Sequence, residues 1–190
     1  MRRTRAPAAL LGLGLLVACQ TTEAPSPVTQ GGASRFSVPQ TPQPDARKVA
    51  ERKGWVVEAV TGSFAEPAHC RATRPGDSGP KLTFQTSPGR FSVLIGTPNR
   101  LLAPGATYDL TFAFEGAASE SHTAQAVDSD TLAVRISSLD YEDITDPYAR
   151  AKRLEVSSPR LGGHIAAFPL AGSNWAINAI DECRRIHTKS

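Results

Sequence analysis

The sequence lacks the residue patterns that mark most enzyme active sites. No GxSxG, P-loop or dinucleotide-binding motif occurs in its 190 residues. Histidine is scarce and shows no spacing typical of a zinc site, with residues only at His69, His122, His164 and His187. The sequence therefore predicts no catalytic residue, no cofactor and no metal site.

One acidic group could in principle bind calcium through carboxylate oxygens. It lacks the glycine and the terminal glutamate of an EF-hand loop. Its members are Asp140, Glu142, Asp143 and Asp146. A solvated loop that ends in a helix cap is therefore the favoured interpretation.

The apolar run near the start of the chain is too short to cross a membrane, which needs about 20 apolar residues. Three arginines precede it within the first five residues, and it extends from Ala6 to Ala18. A basic start, a short apolar stretch and a small residue at its end are typical of a signal peptide. Residues 1–18 are therefore predicted to be one.

The residues at the end of this stretch, Leu16-Val17-Ala18-Cys19, resemble the lipobox of bacterial lipoproteins. In that family the cysteine is acylated, for example with palmitate, and the chain is cut before it. The resemblance implies a lipid anchor on Cys19; ordinary secretory cleavage after Ala24 is the alternative. Gln20 stands where many inner-membrane lipoproteins carry aspartate. The outer membrane is therefore expected, with the domain facing the periplasm or, alternatively, the cell surface.

An excess of positive charge is absent once the leader is removed. The whole chain has 21 basic and 18 acidic residues, and the leader holds three arginines and no acid. The mature chain would therefore carry 18 residues of each sign. Nucleic-acid binding depends on positive charge that meets the phosphate backbone, so it is not expected here.

Cysteine is rare, and its number suggests how each residue is used. The chain has three cysteines, and lipidation of Cys19 would leave Cys70 and Cys183. Two cysteines form an even number in an oxidising compartment, where disulfides persist. We therefore predict a Cys70–Cys183 disulfide, which would fasten the end of the domain to its beginning.

Composition divides the chain into a signal peptide, a tether and a domain. Residues 20–46 contain five prolines and many Ser, Thr and Gln, so they bury too little apolar surface to fold. Residues 19–53 are predicted to be a lipid-anchored flexible tether whose last part, 47–53, is a basic collar in a short helix. A solvated helix start is favoured for the collar, and contact with anionic lipid headgroups is the alternative. Residues 54–190 are predicted to form one β-rich periplasmic domain.

Alternation of apolar and polar residues predicts a mainly β domain. The clearest case is YDLTFAF, residues 108–114, whose aromatic and leucine side chains fall on one face. KLTF, FSVLI and LAVRI alternate in the same way, GWVVEAV, LEVS and HIAAF do so more weakly, and SPGR is a hairpin turn. About seven short strands at this spacing predict an antiparallel β-sandwich or open barrel.

Two helices interrupt this pattern. Asp146 as N-cap and Pro147 at the first helical position predict a short helix. The segment 173–187 predicts a C-terminal α-helix with Ser173 as its N-cap. Its apolar face is predicted to consist of Ala176, Ile177, Ile180 and Cys183.

The stretch AHCRATRPGDSGP, residues 68–80, contains two strings typical of serine proteases. In the chymotrypsin-like family the first carries the catalytic histidine and the second the serine, here His69 and Ser78. In that family the two residues come from different barrels with an aspartate between them, whereas here Asp77 adjoins the serine and cannot support the histidine. We therefore interpret both strings as coincidental and RPGDSGP as a turn. Arg74, Asp77 and Ser78 form a candidate partner-binding loop.

Two sequence segments at the ends of the domain resemble the invasion-associated locus B family, which consists of small exported proteins of alphaproteobacteria. They are GWVVEAVTGSFAEPAHCRA, residues 54–72, and FPLAGSNWAINAIDEC, residues 168–183. The resemblance leaves the middle of the domain unmatched and brings no catalytic residues with it.

The sequence as a whole predicts a non-enzymatic lipoprotein of the cell envelope, acting as a binding or structural module with an envelope protein as partner. One alternative is an inhibitor of an envelope or host hydrolase that acts through the 75–80 loop. The other is an envelope hydrolase whose site is assembled from distant residues.

Overall fold

The computed structural model describes residues 45–62, 67–77, 79–98, 100–137 and 141–187. Several predictions fall outside these ranges: the signal peptide, the lipidation site Cys19, the tether up to residue 44, Ser78 and Asp140. Within the described part of the chain, no helix is long and apolar enough to cross a membrane.

Ten strands form one antiparallel sheet, and this confirms the predicted mainly β fold, with more strands than the expected seven or so. Their order across the sheet is β1-β2-β3-β4-β5-β8-β7-β6-β9-β10. The strands are β1 Ala46–Arg52, β2 Trp55–Val60, β3 His69–Pro75, β4 Lys81–Ser87, β5 Arg90–Gly96, β6 Thr107–Phe114, β7 Glu120–Ala126, β8 Thr131–Ser137, β9 Arg153–Ser158 and β10 Gly163–Pro169.

The predicted strands form where apolar and polar residues alternate. In β4, β5 and β8 every second side chain is buried in the core, as Leu82, Phe84, Phe91, Val93, Ile95, Leu132 and Val134 show. Successive side chains of a strand point to opposite faces of the sheet. The intervening residues therefore lie on the face of the sheet that is turned away from the core, which we call the outer face.

Two groups of strands meet at a narrow joint. β7 and β8 pair only at Gln125↔Ala133 and Ala126↔Leu132, whereas β5 and β8 pair along their whole length. Strands β1–β5 and β8 therefore form one half of the sheet, and β6, β7, β9 and β10 form the other. Buried residues of both halves belong to a single core. In the described part of the chain the sheet is not closed, because β1 and β10 at its two ends do not pair with each other.

Strands β1 and β7 lack the pattern that predicts the others. Residues 47–53, the predicted helical collar, lie mostly in β1, which pairs antiparallel with β2, so the helix prediction is wrong. Nearly every residue of β1 is exposed, and β7 buries only alanines at Ala124 and Ala126, so neither strand shows strong apolar alternation. The charged residues of β1 suit an edge strand, because they discourage pairing with other chains.

The C-terminal helix is confirmed, and the short helix begins earlier than predicted. Helix α2 spans Ser173–His187 and buries the predicted face of Ala176, Ile177, Ile180 and Cys183. The Ser173 hydroxyl donates to the carbonyl of Tyr148 and so joins the two helices. Helix α1 spans Tyr141–Arg150, which places Pro147 inside it, so the predicted start at Asp146 is wrong. Tyr148 is fully buried, and such packing overrides a local start signal.

The predicted disulfide between Cys70 and Cys183 is confirmed. It joins β3 to α2, and both cysteines are buried. Helix α2 packs against β2, β3 and β4, on the side of the sheet that carries the core. The outer face of the same strands is therefore left uncovered by α2.

Candidate anion-binding groove

The side chain of Arg74, a member of the candidate partner-binding loop, makes its hydrogen bonds within the protein. Its Nη1 donates to the carbonyl of Lys53 at 2.9 Å and to the carbonyl of Ala171. Its guanidinium also stands 5.9 Å from the ring centre of Trp55. Arg74 therefore ties the turn between β1 and β2 to the segment that precedes α2.

The described part of the loop packs on the other half of the sheet. Asp77 pairs with Arg153 of β9 at 3.0 Å, and its amide donates to the carbonyl of Ala167 in β10. A Cβ added to Gly76 would stand 2.8 Å from the ring of Phe168, so this close approach requires glycine. These contacts bridge β3 to β9 and β10, which is a structural role for the loop.

His69 lies at the opposite end of β3 from this loop. The strand runs from His69 to Pro75, and at about 3.3 Å per residue its ends are roughly 20 Å apart. The imidazole is only 4% exposed, and its Nδ1 lies 3.2 Å from the carbonyl of Pro67. Ser78 is outside the described residues. The placement of His69 and Pro75 gives no support to a catalytic pair of His69 and Ser78.

The acidic group is helical where it is described, so the prediction of a solvated loop is wrong there. Glu142, Asp143 and Asp146 belong to α1, and Asp146 pairs with Arg150 at 2.7 Å, one turn later. Among the residues that the structure describes, no group of three or more His, Cys, Asp or Glu could hold a metal ion.

A groove of about 610 Å³ lies on the outer face of β3, β4, β5 and β8. The turn between β7 and β8 forms part of its wall. Apolar and polar side chains share its lining, and the basic and polar ones include His69, Arg71, Gln85, Arg90, Ser92 and Arg135. We call this feature the basic groove.

The strand register places four of these side chains in one row across the sheet. Arg71 pairs with Gln85, Gln85 with Ser92, and Ser92 with Arg135. Because neighbouring strands are about 4.8 Å apart, the arginines at the two ends of the row are roughly 14 Å from each other. Arg90 stands diagonally across from Arg135 on the neighbouring strand. Three arginines therefore surround a polar floor.

The three arginines differ in their partners. Arg71 pairs with Glu58 at 2.8 Å. Arg90 and Arg135 are exposed and have no ion pair among the described residues. A guanidinium presents a planar fork of donors that matches a carboxylate or a phosphate. The guanidinium groups of Arg90 and Arg135 are therefore available to bind an anion in the groove.

The acid in the groove wall, Asp128, is engaged by its own turn. Its Oδ1 accepts from the amide of Asp130 at 2.9 Å. Partial burial raises the pKa of Asp128, but hydrogen bonds from Asp130 and Thr131 outweigh this effect and hold the pKa below its usual value. The carboxylate therefore supports the turn and places a negative charge in the groove wall.

Sequence reasoning missed the basic groove because its residues become neighbours only in the folded sheet. Arg71, Arg90 and Arg135 come from three strands, and β8 joins β5 across the intervening strands β6 and β7. One signal was present, since the LAVRI pattern places Arg135 on the outer face. The strand order that brings it beside Arg90 was not predictable from that pattern.

In the comparisons with known proteins, no family model, no curated protein and no solved structure matches this chain. The resemblances to bacterial lipoproteins and to the invasion-associated locus B family therefore stay predictions from the sequence. The fold and the groove define the chain as a mainly β domain with a disulfide-held helix on one side of its sheet and a basic outer face on the other.

Proposed function

We propose that this protein is a non-enzymatic binding module of the cell envelope and that the basic groove binds a ligand carrying phosphate or carboxylate groups. The observation that carries the proposal is the pair of guanidinium groups of Arg90 and Arg135, which have no ion pair among the described residues, above a floor that contains Ser92. A volume of about 610 Å³ falls within the range of small-molecule sites.

The contacts of the 75–80 loop favour the groove over the loop as the binding surface. A wedge that inhibits a hydrolase must present side chains to its partner. Arg74 instead donates to two backbone carbonyls, and Asp77 pairs with Arg153. Both groups therefore already make contacts within the protein, while the Asp77 side chain is still 51% exposed.

Neutralising Arg90 and Arg135 is expected to weaken anion binding. The double variant Arg90→Gln, Arg135→Gln should bind inositol hexakisphosphate, used as a soluble probe, at least about tenfold more weakly than the wild type. Each lost charge-assisted hydrogen bond at an exposed site costs about 1 kcal/mol, and 1.4 kcal/mol corresponds to a factor of ten. Isothermal titration calorimetry at a fixed salt concentration measures the effect.

The matched control changes two exposed arginines elsewhere. Arg47→Gln with Arg52→Gln removes the same charge from β1, which lies outside the groove. This control should bind the probe nearly as tightly as the wild type. Equal losses in both double variants would show that the probe responds to net charge alone and would contradict a site in the groove.

The lipid anchor on Cys19 and the outer-membrane location belong to the same proposal. Their support is the sequence Leu16-Val17-Ala18-Cys19 followed by Gln20. Cys19→Ser is expected to move the protein from the outer-membrane fraction to the soluble envelope fraction on a density gradient. Recovery of the wild type in the inner-membrane or soluble fractions would contradict the proposal.

A further inference from the structure

A second groove adjoins the basic groove on the outer face of the sheet. It has a volume of about 530 Å³ and lies over β2, β3 and β4. Its lining includes Glu58, Arg71, Thr73, Lys81 and Thr83, and we call it the threonine groove. Because Arg71 lines both grooves, they meet at this side chain.

The cations of the two grooves are too far apart for one small anion. In the strand register, Lys81 lies four residues along β4 from Gln85, and Gln85 is separated from Arg135 by β5. At about 3.3 Å per residue and about 4.8 Å between strands, the Cα atoms of Lys81 and Arg135 are roughly 16 Å apart. Side chains stand roughly perpendicular to a sheet, so a single phosphate or carboxylate contacts only one of these two cations. A ligand that uses both must be extended.

The two grooves combine cations with acidic hydrogen-bond acceptors. Their described linings contain four arginine and lysine residues, Arg71, Lys81, Arg90 and Arg135, and two acids, Glu58 and Asp128. The surplus of cations attracts an anion. The two carboxylates would repel a chain of closely spaced phosphates, but each has about four lone-pair sites and can accept further hydrogen bonds from hydroxyl groups. The surface therefore matches a ligand that carries both acidic groups and hydroxyl groups.

The remaining contacts favour a glycan over a nucleic acid or a peptide. The hydroxyls of Thr73 and Thr83 are 3.0 Å apart, and each keeps hydrogen-bonding capacity beyond this contact. Stacking of nucleobases requires aromatic side chains, and none of the described residues in the two linings is Phe, Tyr or Trp. A peptide that adds a strand requires an open sheet edge, whereas β2, β3, β4 and β5 each pair on both sides.

We propose that the ligand of the outer face is an extended polysaccharide that carries carboxylate groups. Its carboxylates bind Arg90 and Arg135 in the basic groove and Lys81 in the threonine groove, and its hydroxyl groups bind Thr73 and Thr83. This inference rests on the proposed anion-binding function and names an acidic glycan as the class of ligand. Contacts in the two grooves reinforce each other, because binding in one raises the effective concentration of the chain at the other.

Calorimetric titration with oligogalacturonate, a chain of carboxylated sugars, tests the inference on the mature chain from Gln20 onward, produced without the lipid. The wild type should bind the oligomer at least about tenfold more tightly than monomeric galacturonate. Lys81→Gln should weaken oligomer binding about fivefold, which corresponds to about 1 kcal/mol. Binding of inositol hexakisphosphate should change about twofold at most, because Lys81 lies outside the basic groove and more than a Debye length from Arg135 at physiological salt.

The double variant Thr73→Val, Thr83→Val tests the hydroxyl contacts. It keeps the charge and the branched shape of both side chains, and it removes both partners of their mutual hydrogen bond together. It should weaken oligogalacturonate binding about fivefold and leave binding of inositol hexakisphosphate unchanged. Linear polyphosphate of equal charge should bind more weakly than oligogalacturonate, and equal or tighter binding would overturn the assignment to a glycan.

The matched controls change exposed residues outside both grooves, namely Lys152→Gln and the double variant Thr107→Val, Thr123→Val. They should bind oligogalacturonate as the wild type does, and near-ultraviolet circular dichroism checks that each variant folds. Undiminished oligomer binding in either threonine-groove variant would overturn the inference, as would equal affinity for monomer and oligomer. Binding of inositol hexakisphosphate without binding of oligogalacturonate would overturn the glycan and leave the proposed anion site standing, whereas loss of both would overturn both.

Discussion

Replacing both cysteines of the Cys70–Cys183 disulfide with alanine is expected to lower the free energy of unfolding by about 2–5 kcal/mol. The bond closes a sequence separation of 113 residues. In the chain-entropy account, a loop of about this length restricts the unfolded chain enough to contribute close to 5 kcal/mol. Domains of this size are stable by only about 5–15 kcal/mol, so the loss would be a large share of the total.

The disulfide joins α2 to β3, so its removal should weaken the attachment of that helix first. Cys183 lies on the buried face of α2, and Cys70 lies in β3, against which that helix packs. Without the bond, α2 should detach at lower denaturant concentration than the rest of the sheet. Urea unfolding followed by circular dichroism measures the change.

The reduced wild type serves as the comparison for this variant, because it lacks the bond and keeps the cysteine side chains. Both proteins should unfold at similar urea concentrations, well below that of the oxidised wild type. A difference of less than about 1 kcal/mol between the oxidised protein and the double variant would contradict a stabilising role for the bond.

Removal of the Trp55 side chain is expected to have a similarly large effect. Trp55→Ala should cost about 3–5 kcal/mol, the usual range for deleting a large buried aromatic side chain. The ring is fully buried and stacks on Phe84 with ring centres 4.9 Å apart. Its Nε1 donates to the carbonyl of Ala171 at 3.2 Å, the same carbonyl that accepts from Arg74. Trp55 thus links the start of β2 to the segment before α2.

A second variant separates the ring from its hydrogen bond. Trp55→Phe keeps an aromatic ring in the core and loses the indole N–H, so it should cost about 1–2 kcal/mol. The two variants are compared by urea unfolding at the same pH. Equal costs for alanine and phenylalanine would show that packing of the ring on Phe84 contributes little, contrary to the structure.

Much of the fold was predictable because its strands follow local rules. Sequence spacing alone indicates which side chains are buried in residues 108–114 and 173–187. The residues SPGR indicate the turn between β4 and β5 in the same local way. The Cys70–Cys183 bond was predicted from the number of cysteines together with the assignment of Cys19 to a lipid anchor. Each of these predictions depends on a short segment or on composition, and the structure confirms each of them.

Predictions failed where tertiary contacts decide the structure. β1 is a strand because β2 offers it a partner, and its own exposed, charged residues give no apolar pattern. Helix α1 runs through Pro147 because Tyr148 is held in the core. The basic groove depends on the pairing of β5 with β8, a contact across two intervening strands. Such pairings require knowledge of the strand order.

The most direct test of a binding site in the basic groove is an NMR titration of the isotope-labelled mature chain with inositol hexakisphosphate. The amide signals of Gln85, Arg90, Ser92 and Arg135 should shift more than those of any other part of the described chain, and the shifts should disappear in the Arg90→Gln, Arg135→Gln variant. Shifts that concentrate on the 75–80 loop or on β1 would contradict the proposed site, and so would an unchanged spectrum.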